Sequence, residues 1–295
     1  MLTDLFLRYL EIEKNSSSCT VRSYGDDLKQ LEDFFKNSDS NMTWEKLDAE
    51  IIREWMIDMV ENKHMSSASV NRKLSALRSF YRFLLRRGLV DKDPTRKISG
   101  PKNKKPLPCF LRDKEMDRLL DDVDFGDGFD GIRDKLIIMT FYHTGIRRSE
   151  LLNLKDEDVD LHGRCIKVTG KRTKQRIVPF GSELDEKIRS YLDARSREFG
   201  NTSFLRFFVG DKGGALPVST LEHIVACNLS KVTTMKKRSP HVLRHTFATA
   251  MMNHNADLVS IQKLMGHASL ATTEVYTHTT FEELKEIYKN AHPRS

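Results

Sequence analysis

The first hundred residues repeat apolar side chains at intervals of three and four, the period of helices laid against a core. Residues 1–14 read as a short amphipathic helix, and Ser16, Ser17 and Ser18 break it. Residues 20–36 keep Val21, Tyr24, Leu28, Leu31, Phe34 and Phe35 near one face, with a polar loop at 37–41. A third helix covers 47–61. Ser66 or Ser67 can cap a fourth, whose Val70, Leu74, Leu77, Phe80, Tyr81 and Leu84 share a face until Gly88 and Pro94 stop it. Residues 98–110 are rich in Lys and Pro and poor in apolar side chains, so an extended basic linker is expected there.

Beyond residue 110 the pattern changes. A helix over 112–121 leads into an acidic, Gly-rich loop at 121–131. The strongly apolar stretch 134–143 reads as a buried helix stopped by Gly145. Residues 164–168 and 176–180 are short β-type runs joined by a basic hairpin turn at 170–174. Helical patterns then return over 183–197, 219–230, 240–253, 258–265, 270–277 and 281–289. The expected fold is mainly α with a small antiparallel β-sheet. A helical domain over 1–97, a linker over 98–110 and an α/β domain over 111–295 give each core a reasonable size.

Composition narrows the setting. No apolar run approaches the roughly 20 residues of a membrane span. The N-terminus has neither the basic flank nor the cleavage site of a secretory signal. The expectation is a cytoplasmic protein that does not engage a membrane. Cys19, Cys109, Cys165 and Cys227 are far apart with no C-x-x-C pair, which points to reduced thiols and no metal site. Net charge is +7 and unevenly spread: residues 63–105 hold thirteen Lys or Arg against two acids, a balance of +11. Arg78, Arg82 and Arg86 recur every fourth residue, a positive stripe about 12 Å long. Such a concentration fits phosphates of double-stranded DNA; a solvated helix face is the plainer reading.

Several polar residues stand at helix boundaries. Arg147 follows the stop at Gly145. Ser239 is placed to cap a helix with Pro240 in its first turn, so His241 and Arg244, three apart, share a face. His267 follows Gly266, and Tyr276 comes nine residues later. Taken singly, Arg147 reads as a surface arginine, His241 as a capping histidine, and Tyr276 as one more core tyrosine beside Tyr24, Tyr81 and Tyr142.

Their order alters that reading. TGIRRSELL (144–152), VTGKRTKQRIVP (168–179), SPHVLRHTFAT (239–249) and IQKLMGHASLATTEVYTH (261–278) resemble the motifs of tyrosine recombinases, most nearly the bacterial Xer type. SASVNRKLSALRSFYRFLL (67–85) looks like the core-binding helix of that family, so the resemblance runs nearly end to end. It implies a core-binding domain followed by a catalytic domain, and a catalytic set of Arg147, Lys171, His241, Arg244, His267 and Tyr276. Lys174 and Arg176 compete with Lys171, and Arg148 with Arg147. Glu150 is either an outer group orienting an arginine or a histidine, or an ordinary acid of a first helical turn.

The chemistry suits these residue types. Breaking a phosphodiester needs a nucleophile, cations for the non-bridging oxygens and a proton for the leaving oxygen. The resemblance implies strand exchange through a 3′-phosphotyrosine and a Holliday junction, without a cofactor. It also implies a homo- or hetero-tetramer on two DNA sites, a second Xer-type recombinase and a septum-associated activator. Chromosome-dimer resolution is the expected role. An integrase of a mobile element and a non-catalytic DNA-binding protein are the competing readings. No arm-binding domain is read ahead of the core-binding region, which favours the first. Thr280 to Glu283 reads as a capping box opening the last helix, 281–290, whose apolar stripe docks on its own domain or, as the resemblance implies, on a neighbouring protomer.

Overall fold

The computed structural model describes residues 1–103, 109–170, 174–200, 202–266 and 278–295. The chain divides into two compact units, Met1–Pro106 and Leu107–Ser295. The expected helix at 270–277 lies outside the described residues, as do Lys171, His267 and Tyr276.

Among the described residues, the first unit has four α-helices. Helix α1 (Leu2–Arg8) runs into a π-helical turn at Tyr9–Glu13, and α2 (Ser18–Ser38), α3 (Ala49–Glu61) and α4 (Ser67–Arg86) follow. Each longer helix starts where a side chain can take an orphan backbone N–H. Ser17 accepts from Thr20, Asp48 from Glu50 and Ile51, and Ser66 from Ser69. The apolar faces meet in a core that includes Leu28, Phe35, Trp55, Leu74, Phe80 and Tyr81. One charged pair is buried with them: Asp27 accepts from Lys73 Nζ at 2.9 Å, and also from the fork of exposed Arg72.

The polar face of α4 is less uniform than its spacing implies. Arg82 and Arg86 are exposed, but Arg78 is half-buried and donates to the Ile98 carbonyl at 2.7 Å. Ile98 itself is buried in the first core, and Asn71 Nδ2 donates to the Pro101 carbonyl at 2.8 Å. The stretch read as the start of a free linker is therefore tied, up to Asn103, to this unit through Asn71. Backbone carbonyls outside regular structure find donors on α4, which a count of lysines and prolines does not reveal.

The second unit wraps around α6 (Phe129–Thr144), which is buried from Leu136 through Thr144. Ahead of it come α5 (Asp113–Asp117) and a π-helical turn at Arg118–Asp122. After it come α7 (Arg148–Asn153) and a three-stranded antiparallel sheet of β1 (Val159–Asp160), β2 (Cys165–Thr169) and β3 (Gln175–Pro179), in that order. The β1 strand was not expected. Then follow α8 (Ser182–Phe199), α9 (Val218–Ser230), α10 (Pro240–Asn253), α11 (Leu258–Met265) and α12 (His278–Ala291).

Helix α6 stops at Gly145, whose φ of +57° is left-handed. A Cβ there would lie 2.3 Å from Phe247 on α10, so glycine lets the two helices close up beside Arg147.

The last helix is longer than the expected 281–290. It spans His278–Ala291. It also packs on its own unit. Leu284, Tyr288 and Ala291 are buried in that core, and Arg294 beyond them binds Asp121 and Glu183. Burial of the apolar stripe is satisfied within one chain.

Candidate active site

Three arginines from three elements converge on the C-terminal end of α11. Arg147 stands at the N-cap of α7, Arg176 on β3 and Arg244 in α10. Arg176 Nε donates to the Leu264 carbonyl at 2.7 Å, Arg244 to the Met265 carbonyl at 2.8 Å, and Arg147 to the Gly266 carbonyl at 2.6 Å. A helix leaves its last carbonyls without intrahelical donors and gathers negative potential there, so cations are favoured. Gly266, left-handed at φ +66°, turns the chain immediately afterwards. A Cβ at Gly266 would press on the Arg176 guanidinium at 3.0–3.2 Å.

Glu150 ties the cluster together. Its carboxylate is buried and accepts four hydrogen bonds. Two come from Arg147, the backbone N–H at 2.7 Å and a guanidinium N–H at 2.8 Å. Two come from the Arg176 fork, each at 2.9 Å. Burial would raise its pKa; the fork and charge of Arg176, then Arg147, outweigh that and bring it down to about 2. Glu150 is a first-turn acid that accepts the Arg147 backbone N–H at the N-terminus of α7, and its carboxylate also bonds the guanidinium groups of Arg147 and Arg176.

Arg244 is buried. Burial first, then repulsion from Arg147 and Arg176, lowers its pKa to about 10 against the pull of Glu150, so it stays cationic at neutral pH. A second of its nitrogens donates to the Gly145 carbonyl. Arg147 keeps 37% of its side chain exposed, the most open of the three. His241 lies one turn before Arg244 on α10. Partial burial, then Lys237, His245, Arg244 and Arg148, hold its imidazole below the ordinary value, so it is neutral at pH 7. Ser239 stands at the cap of α10, but its side chain makes no cap hydrogen bond.

The rival residues separate. Arg148 turns away to pair with Glu222 at the surface. Lys174 is exposed, and its carbonyl accepts from Gly170 N at 2.8 Å to close the base of the β2–β3 hairpin. A Cβ on Gly170 would sit 3.5 Å from a Glu150 oxygen, so the chain leaving the end of β2 lies beside the cluster. Sequence reasoning treated Arg176 only as a substitute for Lys171 and missed its partnership with Glu150. The signal was available: strand alternation sets Arg176 on the same face as buried Val178. An arginine on a core face needs a carboxylate.

The arrangement can hold a tetrahedral anion. Arg147 and Arg244 carry planar donor forks close enough to repel one another, and His241 lies one turn from Arg244 on α10. Comparison with known proteins agrees in kind. Residues 109–283 match the phage integrase family, and residues 3–88 match its N-terminal SAM-like domain. The chain is 38% identical to the tyrosine recombinase XerC of Pelotomaculum thermopropionicum, over 99% of this chain and 98% of that one. It is 36% identical to the XerC of Bacillus subtilis, over 99% and 96%. Among solved structures, XerH recombinase in a post-cleavage complex with a palindromic difH substrate aligns with TM-score 0.72 at 23% identity, covering 96% of this chain and 83% of that one. The Tn1549 transposon integrase in complex with transposon right end DNA aligns with TM-score 0.72 at 18% identity, covering 97% and 98%. These two likenesses bear on the fold.

Proposed function

Because this chain belongs to the phage integrase family of tyrosine recombinases, enzymes that cut and rejoin DNA strands, we propose that it performs site-specific recombination with Tyr276 as its nucleophile. The phenol oxygen forms a bond to the scissile phosphorus, and the bond from phosphorus to the 5′ oxygen breaks. Arg147 and Arg244 donate to the two non-bridging oxygens, where negative charge gathers as the phosphorane forms. His241, neutral near pH 7, takes the phenol proton. Lys171 delivers a proton to the departing 5′ oxygen, and His267 adds a hydrogen bond to the phosphate. The 3′-phosphotyrosine keeps the ester linkage, so a 5′-hydroxyl from another strand can reverse the step and build a Holliday junction.

One observation carries this reading. Arg147 and Arg244 come from separate helices yet grip successive carbonyls at the end of α11, directly ahead of His267. Double-stranded DNA is the substrate, with exposed Arg82 and Arg86 of the core-binding unit, and Arg78 beside them, against its phosphates. The biological role is chromosome-dimer resolution at cell division in the cytoplasm. It is carried out by a tetramer on two sites that includes a second Xer-type recombinase and answers to a septum-associated activator. Resemblance to the XerC proteins supports this role. Exchange of α12 between protomers would have to draw Leu284 and Tyr288 out of their own core. Among the described residues no helix is long and apolar enough to cross a membrane.

Trapping on a nicked suicide duplex tests the chemistry. The wild type accumulates a covalent protein–DNA adduct. Tyr276→Phe forms none yet binds the duplex as before. Adduct formation by the phenylalanine variant would assign the attack to another residue.

A further inference from the structure

We infer that Arg176 is a positioning residue for cleavage, holding Arg147 through Glu150 and fixing the end of α11 through the Leu264 carbonyl. The inference rests on the reading of Arg147 as a phosphate-binding arginine. Arg176 is committed to protein partners. It is 6% exposed, and its three nitrogens are engaged: Nε on Leu264, and the two terminal nitrogens on the two Glu150 oxygens.

Those contacts join the parts that a reaction would have to align. Glu150 accepts the Arg147 side chain on the same oxygen, Oε1, that takes one arm of the Arg176 fork. Arg147 therefore points where Arg176 lets Glu150 sit. Leu264 lies two residues before Gly266, the carbonyl that Arg147 holds. Arg176 also pairs with Val168 across the β2–β3 ladder, and a Cβ on Gly170, just past the end of β2, would lie 3.5 Å from a Glu150 oxygen. One buried fork thus links the hairpin, Arg147 and the chain that continues to His267. A lysine cannot replace it, because one ammonium lacks the planar geometry to serve both carboxylate oxygens and the carbonyl.

The test compares Arg176→Lys with Arg147→Ala on two suicide duplexes in the full-length protein. One carries the ordinary scissile phosphate. The other carries a methylphosphonate, in which a neutral methyl replaces one non-bridging oxygen and removes the charge Arg147 would neutralise. On the phosphate, Arg176→Lys should lower the single-turnover cleavage rate roughly 10- to 100-fold, the usual cost of losing an outer orienting partner, with DNA affinity nearly unchanged. On the methylphosphonate the deficits of both variants should shrink together. A variant that merely loosened the fold would lose the same factor on both substrates, and that result would overturn the inference. Glu150→Gln with Arg176→Met, which removes both buried charges together, gives a second variant in case lysine is not accommodated; its deficit should shrink in the same way. If Arg147→Ala cleaves the phosphate normally, the reading of Arg147 fails. If Arg147→Ala is impaired while both Arg176 variants cleave normally, only the inference fails.

Discussion

Replacing Glu150 by glutamine removes a buried carboxylate that four N–H groups hold ionised. Its pKa falls from 4.5 to about 2 on folding. A group whose folded pKa is depressed stabilises the fold above its unfolded value and loses that contribution as pH falls toward the folded one. The difference corresponds to about 3 kcal/mol at pH 7, of which about 1.4 kcal/mol is gone by pH 3.5. Glutamine does not titrate, so the stability gap between wild type and Glu150→Gln should be at least about 3 kcal/mol at pH 7 and narrow by about 1.4 kcal/mol at pH 3.5. Urea unfolding at a series of pH values measures it. Both tryptophans, Trp44 and Trp55, belong to the first unit, so their fluorescence serves as an internal control. Circular dichroism should report earlier unfolding of the second unit while the tryptophan transition stays in place. A gap that is constant with pH would mean that Glu150 is not held ionised by this cluster. A shifted tryptophan transition would mean that the effect is not local.

Other consequences follow from individual side chains. Arg82→Ala or Arg86→Ala should weaken binding equally on cognate and random duplex and reduce the slope of log K against log salt by about one unit; Arg78→Ala should change the slope less, since part of its guanidinium is spent on Ile98, and an unchanged slope for all three would make the stripe a plain solvated face. The single-turnover cleavage rate should fall as pH drops through the depressed pKa of His241, and His241→Gln should flatten that limb; an identical acid limb in the variant would exclude His241 as the base. Lys171→Ala should be slow on ordinary DNA and recover on a 5′-phosphorothiolate, whose thiolate leaves without a proton. Recovery by Lys174→Ala instead would move the acid to Lys174.

Much of the architecture was legible in the residue order. Periodicity placed α2, α3 and α4 within a few residues of their ends, because amphipathic faces and capping side chains are local properties. Gly145 announced the end of α6, since a left-handed turn favours glycine wherever it occurs. The motif order picked out Arg147, Glu150, His241 and Arg244, and the structure brings the three arginines of the cluster and Glu150 together. Other features depended on contacts between distant segments. Arg176 became the partner of Glu150 only when β3 folded against α7. Arg78 was drawn from the stripe to Ile98. The apolar stripe of α12 closed on its own core. Periodicity fixes which face of an element is apolar; which surface covers that face, and which buried charge answers which, is settled only when distant segments exclude water between them and each desolvated polar group must find a partner.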